Sequence, residues 1–429
     1  MMPAMPKSDG LRSNLAALTY ADYRNFSVSL LLTQLGAQLI QTAVLWQVYE
    51  ITGSAVLLGL TGFARAVPHM ALSLVGGVVA DRFNRRQLIQ IGQASNAVLV
   101  FVLALVTLSG HVELWHLYAI TSVNAAVTAV TQPARTALIP RIVPPNLLVN
   151  AIGLNATIQQ SAQIFGPALG GLAIGTIGLG WGYMITAGSY IVAMVALFWM
   201  RTPAMPPATE DSPWQSFVEG MQFVRARPAI ISLLLIDVLQ TLFGGYRALL
   251  PIFADLLHVG ATGYGVLSAA PGVGSIIGAT FILSRGDMRY KGLYAVTGTL
   301  AYCVSQALLS ASPWFLLTLV AVTLLGVTNS IQVIPRNTAI LSMSPDALRG
   351  RVEAFRSMLA GGVPPLGFTL AGALAAAFGA PIAMLIGSGA CAVFVVVLAT
   401  FRRELRDPDL GAPPPEPAAP AVLRTSQPN

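Results

Sequence analysis

The chain has 429 residues, of which 55% are hydrophobic and only 10% charged, with a mean hydropathy of +0.70. Soluble domains carry about 25% charged residues, so a soluble globular protein is excluded and an all-α integral membrane protein is expected. The formal net charge of +7 is read as a topological signal and not as nucleic-acid binding, because the basic residues gather beside apolar segments.

Apolar stretches of about 20 residues, enough to cross about 30 Å of hydrocarbon, recur at 25–49, 55–80, 87–109, 115–139, 147–175, 181–200, 229–253, 262–284, 291–310, 313–335, 355–377 and 381–401. Twelve transmembrane helices are predicted. Apart from Arg65 and Arg247, every Lys and Arg falls in the tails, the even-numbered loops or the adjoining span ends. That asymmetry puts both termini in the cytoplasm of a multi-pass protein, with anionic headgroups of the lipid bilayer as partners of the basic loops. The first apolar run has no small-residue cleavage site, so span 1 itself is expected to act as the insertion signal.

The predicted organisation is a cytoplasmic tail at 1–22, an N-terminal six-helix bundle at 23–200, a cytoplasmic linker at 201–228, a C-terminal six-helix bundle at 229–404 and a disordered tail at 405–429. The linker begins TPAMPPATEDSP, too rich in proline for a regular helix. It continues WQSFVEGMQFVRAR, where Trp214, Phe217, Val218, Met221 and Val224 recur at helical spacing. This predicts an amphipathic helix on the membrane surface. An internal repeat supports the division: Pro133-Ala-Arg-Thr136-Ala137-Leu138 ends span 4, and Pro335-Arg-Asn-Thr338-Ala339-Ile340 ends span 10. The last residues, rich in Pro and Ala without periodicity, carry no readable motif.

The connection between spans 2 and 3, Gly76–Arg86, reads GGVVADRFNRR. Asp81 can accept hydrogen bonds from nearby arginines and so clamp one conformation, and Asn84 is expected at positive φ, which Asn tolerates. Gly77-x-x-x-Asp81-Arg82-x-x-Arg85-Arg86 resembles the signature loop between helices 2 and 3 of the major facilitator superfamily of transporters, with Asn84 in place of the usual Gly. In span 5, Gly153, Ala162, Gly166-Pro167 and Gly170-Gly171 resemble the antiporter signature of the superfamily's exporters. Small residues there let helices approach, and Gly-Pro adds a bend.

The resemblance covers residues 20–404 and implies two pseudo-symmetric six-helix bundles. GPALGG, QPARTALIP and EGMQFVRARP make the chain most similar to bacterial exporters of the enterobactin-exporter and macrolide-efflux type. The implied function is secondary active export of a small amphipathic molecule, drug-like or siderophore-like, across a bacterial inner membrane by alternating access, with protons as the antiported ion. The Gly77, Asp81, Arg82, Arg85 and Arg86 clamp would stabilise the outward-facing state. A monomer is expected. The alternatives are an importer or facilitator of the same fold, or a non-transporting membrane sensor or assembly partner.

Charge inside a membrane is costly and usually faces water. Among the acidic residues only Asp237 lies well inside a span, on one helical face with Gln240, Gly244 and Arg247. Span 2 carries Thr61, Arg65 and His69. Asp237, His69, Arg65 and Arg247 are therefore the candidates for proton coupling. Amides exposed to lipid would go unsatisfied, so the stripes Gln34, Gln38 and Gln41, Asn124 and Thr128, Asn155, Gln159 and Gln163, and Asn329 and Gln332 are expected to face a substrate cavity with Gln240. Such a cavity, lined by amides and apolar groups more than by strong charges, suits a bulky amphipathic small molecule. Many proton-coupled exporters of the superfamily carry a basic residue within span 4. Here Arg135 is placed at the cytoplasmic end and outside the interior.

Cys303 and Cys391 lie in separate apolar spans and imply neither a disulfide nor a metal site. There is no G-x-x-x-x-G-K-[ST] phosphate loop, and His69, His111, His116 and His258 lack metal-ligand spacing. No cofactor and no enzymatic activity are expected.

Overall fold

Apolar segments that cross lipid can satisfy their backbone there only as helices or closed barrels. In the computed structural model, which describes residues 16–201, 213–286, 288–408 and 410, every regular element among the described residues is helical. The helices are α1 (Ala21–Thr52), α2 (Ala55–Arg82), α3 (Arg85–Leu108), α4 (Leu114–Ile142), α5 (Leu148–Ile177), α6 (Leu179–Ala196), α7 (Pro213–Arg225), α8 (Pro228–Phe243), α9 (Tyr246–Leu256), α10 (Gly260–Ser284), α11 (Lys291–Ser310), α12 (Phe315–Ser342), α13 (Asp346–Phe378) and α14 (Ala380–Phe401).

Each predicted span contains helix. Among the described residues, ten segments are long and apolar enough to cross a membrane, the broken α8–α9 segment being one of them. The two that fall short are α4 and α5, whose asparagines, glutamines and threonines lower their hydropathy. Large apolar side chains such as Phe101, Val192, Phe394 and Val397 stand exposed on the outer surface, where lipid is the natural neighbour. Trp115, Trp181 and Trp314 are exposed near the starts of α4, α6 and α12, an arrangement typical of a membrane interface.

Helix ends follow local chemistry. Gly53 ends α1 in the left-handed region (φ 57), and the Ser54 side chain accepts from Leu57 N to open α2. Glu113 and His116 form a reciprocal capping box at the start of α4. The α5–α6 corner turns on Gly178 (φ 84, ψ 165) and the α13–α14 corner on Gly379 (φ 83, ψ 156). The same glycine-only conformation thus recurs at matching places of the two halves.

Within the N-terminal half α2 packs on α4, α3 on α6, and α1 on α5 and α6; within the C-terminal half α12 packs on α10 and α11, and α11 on α14. The halves meet chiefly along α2 with α13 and α5 with α10. The amphipathic α7 lies against α13, with an ion pair between Glu219 and Arg351 and Gly220 close to the Arg351 backbone. The predicted tails and the first part of the linker lie largely outside the described residues.

Two expectations are corrected. Span 7 is not one helix: it breaks at Gly244–Gly245 between α8 and α9. The freed carbonyls find new partners, since the Gln306 side chain donates to Phe243 O (3.0 Å) and the Tyr302 hydroxyl to Gly244 O (3.3 Å). A side chain at Gly245 would overlap the Gly367 carbonyl, so the glycine pair also permits close approach to α13. Asn84 has φ −60 and not a positive φ. Its side chain accepts from Arg86 N and Gln87 N, so it acts as the N-cap of α3, a role Asn fills well.

Candidate functional site

Between the two halves lies a cavity of about 920 Å³. Gln38 and Gln41 of α1, Asn124 and Thr128 of α4, Gln163 of α5, Gln240 of α8 and Asn329 of α12 all line it, as do Arg65, His69 and Arg247. A smaller pocket of about 130 Å³ shares Gln38, Gln41, Arg65, Asn124 and Thr128, and adds Gln34, Arg135 and Tyr190. Asn155, Gln159 and Gln332 line neither. On α5 the facing positions are Ala156, Thr157, Gln160 and Gln163, so Gln160 takes the place expected of Gln159. Gln332 is fully buried.

The lining amides are fixed by bonds to neighbouring helices. Asn124 Nδ2 donates to Asn96 Oδ1 (3.1 Å) in one half. In the other, Gln240 Nε2 donates to Asn329 Oδ1 (3.0 Å), and Thr299 donates to Gln240 Oε1 (3.3 Å). Tyr246, Tyr302 and Phe368 add an aromatic wall that no sequence periodicity announced.

The candidate charges separate. Asp237 does not line the cavity; it forms an ion pair with Arg336 of α12, whose side chain is 3% exposed. Arg336 escaped notice because the sequence set it just beyond span 10, whereas α12 runs on to Ser342. The expectation for Arg135 is also corrected: α4 runs three residues past the predicted span to Ile142, and Arg135 is buried (8% exposed) and faces the smaller pocket. The cavity is therefore lined by guanidinium groups as well as amides. The Pro-Ala-Arg and Pro-Arg-Asn echo, noticed as a repeat, held the signal for both buried arginines.

At the end of the molecule away from the basic loops, the halves touch directly. A Cβ on Gly59 would fall 2.8 Å from Gly372 Cα, and side chains at Gly62, Gly171 and Gly175 would overlap Pro365, Gly265 and Thr262. Tyr264 OH donates to Thr42 O (3.2 Å), Trp46 stacks on Tyr264 (5.4 Å between centroids), and Tyr49 OH donates to Asp255 Oδ2 (2.9 Å). Toward the basic end the cavity reaches Leu283, beside the last residue of α10. There a Cβ added at Gly77 or Gly153 would meet nothing within 4 Å. The halves are thus in backbone contact at one end, while the cavity extends toward the basic end.

In the antiporter-like stretch, Gly166 lies against Gln38 of α1, Gly170 against Leu39, and Gly171 against Gly265 of α10; Pro167 is buried beside them. In the 76–86 loop, Arg85 donates to Ala137 O (3.0 Å), and Arg86 donates to Met200 O (2.6 Å) and Phe198 O (2.8 Å). These bonds tie the loop to the ends of α4 and α6. Arg82 is exposed, and the side chain of Asp81 lies outside the described ones.

The family described as transmembrane secretion effector matches residues 12–422. The enterobactin exporter EntS of Shigella boydii serotype 4 is 25% identical over 410 residues, 92% of this chain and 96% of the relative. EntS of Escherichia coli O127:H6 is 26% identical over 386 residues, 86% of this chain and 87% of the relative. Among solved structures, a D-xylose-proton symporter superposes with TM-score 0.70 at 12% identity, covering 92% of this chain and all of that one. A bacterial homologue of the human lysosomal transporter Spinster, inward-facing and occupied, superposes with TM-score 0.70 at 15% identity, covering 90% and 98%. These structural likenesses establish a shared transporter fold.

Proposed function

We propose that this chain, which belongs to the transmembrane secretion effector family of the major facilitator superfamily, is a proton-coupled exporter of a small amphipathic molecule, siderophore-like or drug-like. The observation that carries the reading is the cavity of about 920 Å³ between the halves, closed by backbone contact at one end and reaching the basic end at the other. With the basic loops in the cytoplasm, substrate enters from the cytoplasmic side. Rocking of the halves about the cavity then closes that side and opens the other. The names of the enterobactin-exporter relatives favour the outward direction and a substrate of siderophore type.

Closure needs room at the basic end, and the open positions at Gly77 and Gly153 supply it. When that end closes, the 76–86 loop meets the other half and Asp81, Arg82, Arg85 and Arg86 hold the outward-facing state. Asp237 is the coupling group. Protonation from outside would neutralise it and free Arg336, linking proton entry to rearrangement of α8 against α12. Residues 1–22 and 405–429 flank the two bundles on the cytoplasmic side, and the protein works as a monomer in the bilayer.

The test uses protein in liposomes with a trapped pH dye and an imposed pH gradient, challenged with siderophores, macrolides and lipophilic cations. Proton movement triggered by one compound class in wild type, and lost in Asp237→Asn, is the expected result. Flux that survives the substitution moves coupling away from Asp237. Silence for every compound shown to reach the protein overturns export and favours a facilitator or a non-transporting role.

A further inference from the structure

The two halves treat their buried arginines differently. In the C-terminal half Arg336 has Asp237 as its counter-charge. In the N-terminal half Arg135 is also buried, at 8% exposed, yet among the described residues neither it nor Arg65 nor Arg247 has an acidic partner. Among those residues, no Asp or Glu lines the cavity or the smaller pocket. A guanidinium kept from bulk water without a counter-charge is costly. Arg65 and Arg247 are half-buried and line the cavity, so a counter-charge for them has to come from the cavity's occupant. The space is far too large for a single inorganic ion, and Tyr246, Tyr302 and Phe368 line it alongside the arginines, which suits a ligand with an aromatic or apolar body.

We infer that the exported substrate is an amphipathic organic anion, whose acidic groups are held by Arg65 from the N-terminal half and Arg247 from the C-terminal half, with Arg135 adding positive potential behind Arg65. This rests on the export reading and narrows its substrate class. Because Arg65 and Arg247 sit on opposite halves, an anion bound to both bridges the elements that must rock against each other. Guanidinium is the fitting group, since its fork matches a carboxylate through two parallel hydrogen bonds.

The test is equilibrium binding to the purified full chain in lipid nanodiscs, read by fluorescence polarisation, with carboxyfluorescein as the anion, a rhodamine of the same ring system as the cation, and a neutral analogue. Wild type should prefer the anion by about tenfold or more, and Arg65→Gln and Arg247→Gln should each weaken anion binding by about tenfold. Cation binding should not weaken, and Arg65→Lys, which keeps the charge but loses the fork, should bind the anion with an affinity between those of wild type and Arg65→Gln. A wild type that prefers the cation or the neutral dye, or anion binding indifferent to both glutamine variants, overturns the inference and leaves the export reading intact. If the glutamine variants fail to fold, the wild-type preference among the three dyes decides. A wild type that binds none of them also overturns it, and the liposome assay then tells whether export falls as well.

Discussion

Asp237 on α8 is ion-paired with Arg336 on α12, and the arginine side chain is 3% exposed while the carboxylate is 20% exposed. The pair joins two helices of one half beside the cavity without lining it. Removing only one partner leaves a buried charge, which costs about 3–5 kcal/mol, whereas replacing both with apolar groups of similar size is often neutral. Asp237→Asn should therefore lower the melting temperature, and Asp237→Leu with Arg336→Met should recover it. Proton-linked transport should stay absent in the double variant, because the proposed coupling carboxylate is gone. Stability and coupling restored together would remove Asp237 from the proton pathway.

The glycines at the two ends make opposite forecasts. Gly171 has no room for a side chain because Gly265 of α10 fills the space, whereas Gly77 faces open space. Overpacking of a tight contact costs about 1–3 kcal/mol. Gly171→Val should lower the melting temperature of this conformation and raise labelling of probes placed at the end away from the basic loops. Gly77→Val should leave the melting temperature unchanged but arrest transport, since the crowding arises only when the basic end closes. Equal melting temperatures for the two variants would contradict this picture of which end is shut.

Tyr49 donates to Asp255 Oδ2 at 2.9 Å, linking α1 to α9 across the closed end. A hydrogen bond to a charged acceptor contributes about 1.5–3 kcal/mol when buried, and about 1 kcal/mol is reasonable at this exposed site. Tyr49→Phe should shift the balance toward the state open at that end by about fivefold. Distance measurements between spin labels on the two halves would register the shift, and an unchanged distribution would show that the latch does not bias the equilibrium.

Asp81→Asn should abolish transport while expression and membrane insertion persist. In the proposed clamp, losing the carboxylate charge would weaken hydrogen bonds to arginines that serve one conformation and not the folding of the half. Wild-type flux in this variant would dismiss the clamp.

Much of the architecture is local information. Apolar length, the placement of Lys and Arg, and the glycine pattern of the 76–86 loop and span 5 are each written in short stretches of sequence, so the all-helical membrane fold and the transporter resemblance could be read without tertiary structure. The broken span 7 had a local sign in Gly244–Gly245, but the mean hydropathy of the surrounding run is that of one continuous span.

What faces what was decided only in three dimensions. Adjacent residues on a helix point about 100° apart, so an uncertainty of one position exchanges Gln159 for Gln160 at the cavity. Hydropathy blurs the ends of a span, and so it set Arg336 just outside the helix that buries it and Arg135 at a helix end that proves to be buried. Whether such an arginine meets an acid depends on a helix distant in sequence: α8 brings Asp237 to Arg336, and no described acid is brought to Arg135. The sequence by itself determined a membrane transporter with two related halves, because hydrophobicity and charge act residue by residue. The tertiary structure alone decided which end is closed and which charges stand uncompensated, because both depend on how those halves pack against each other.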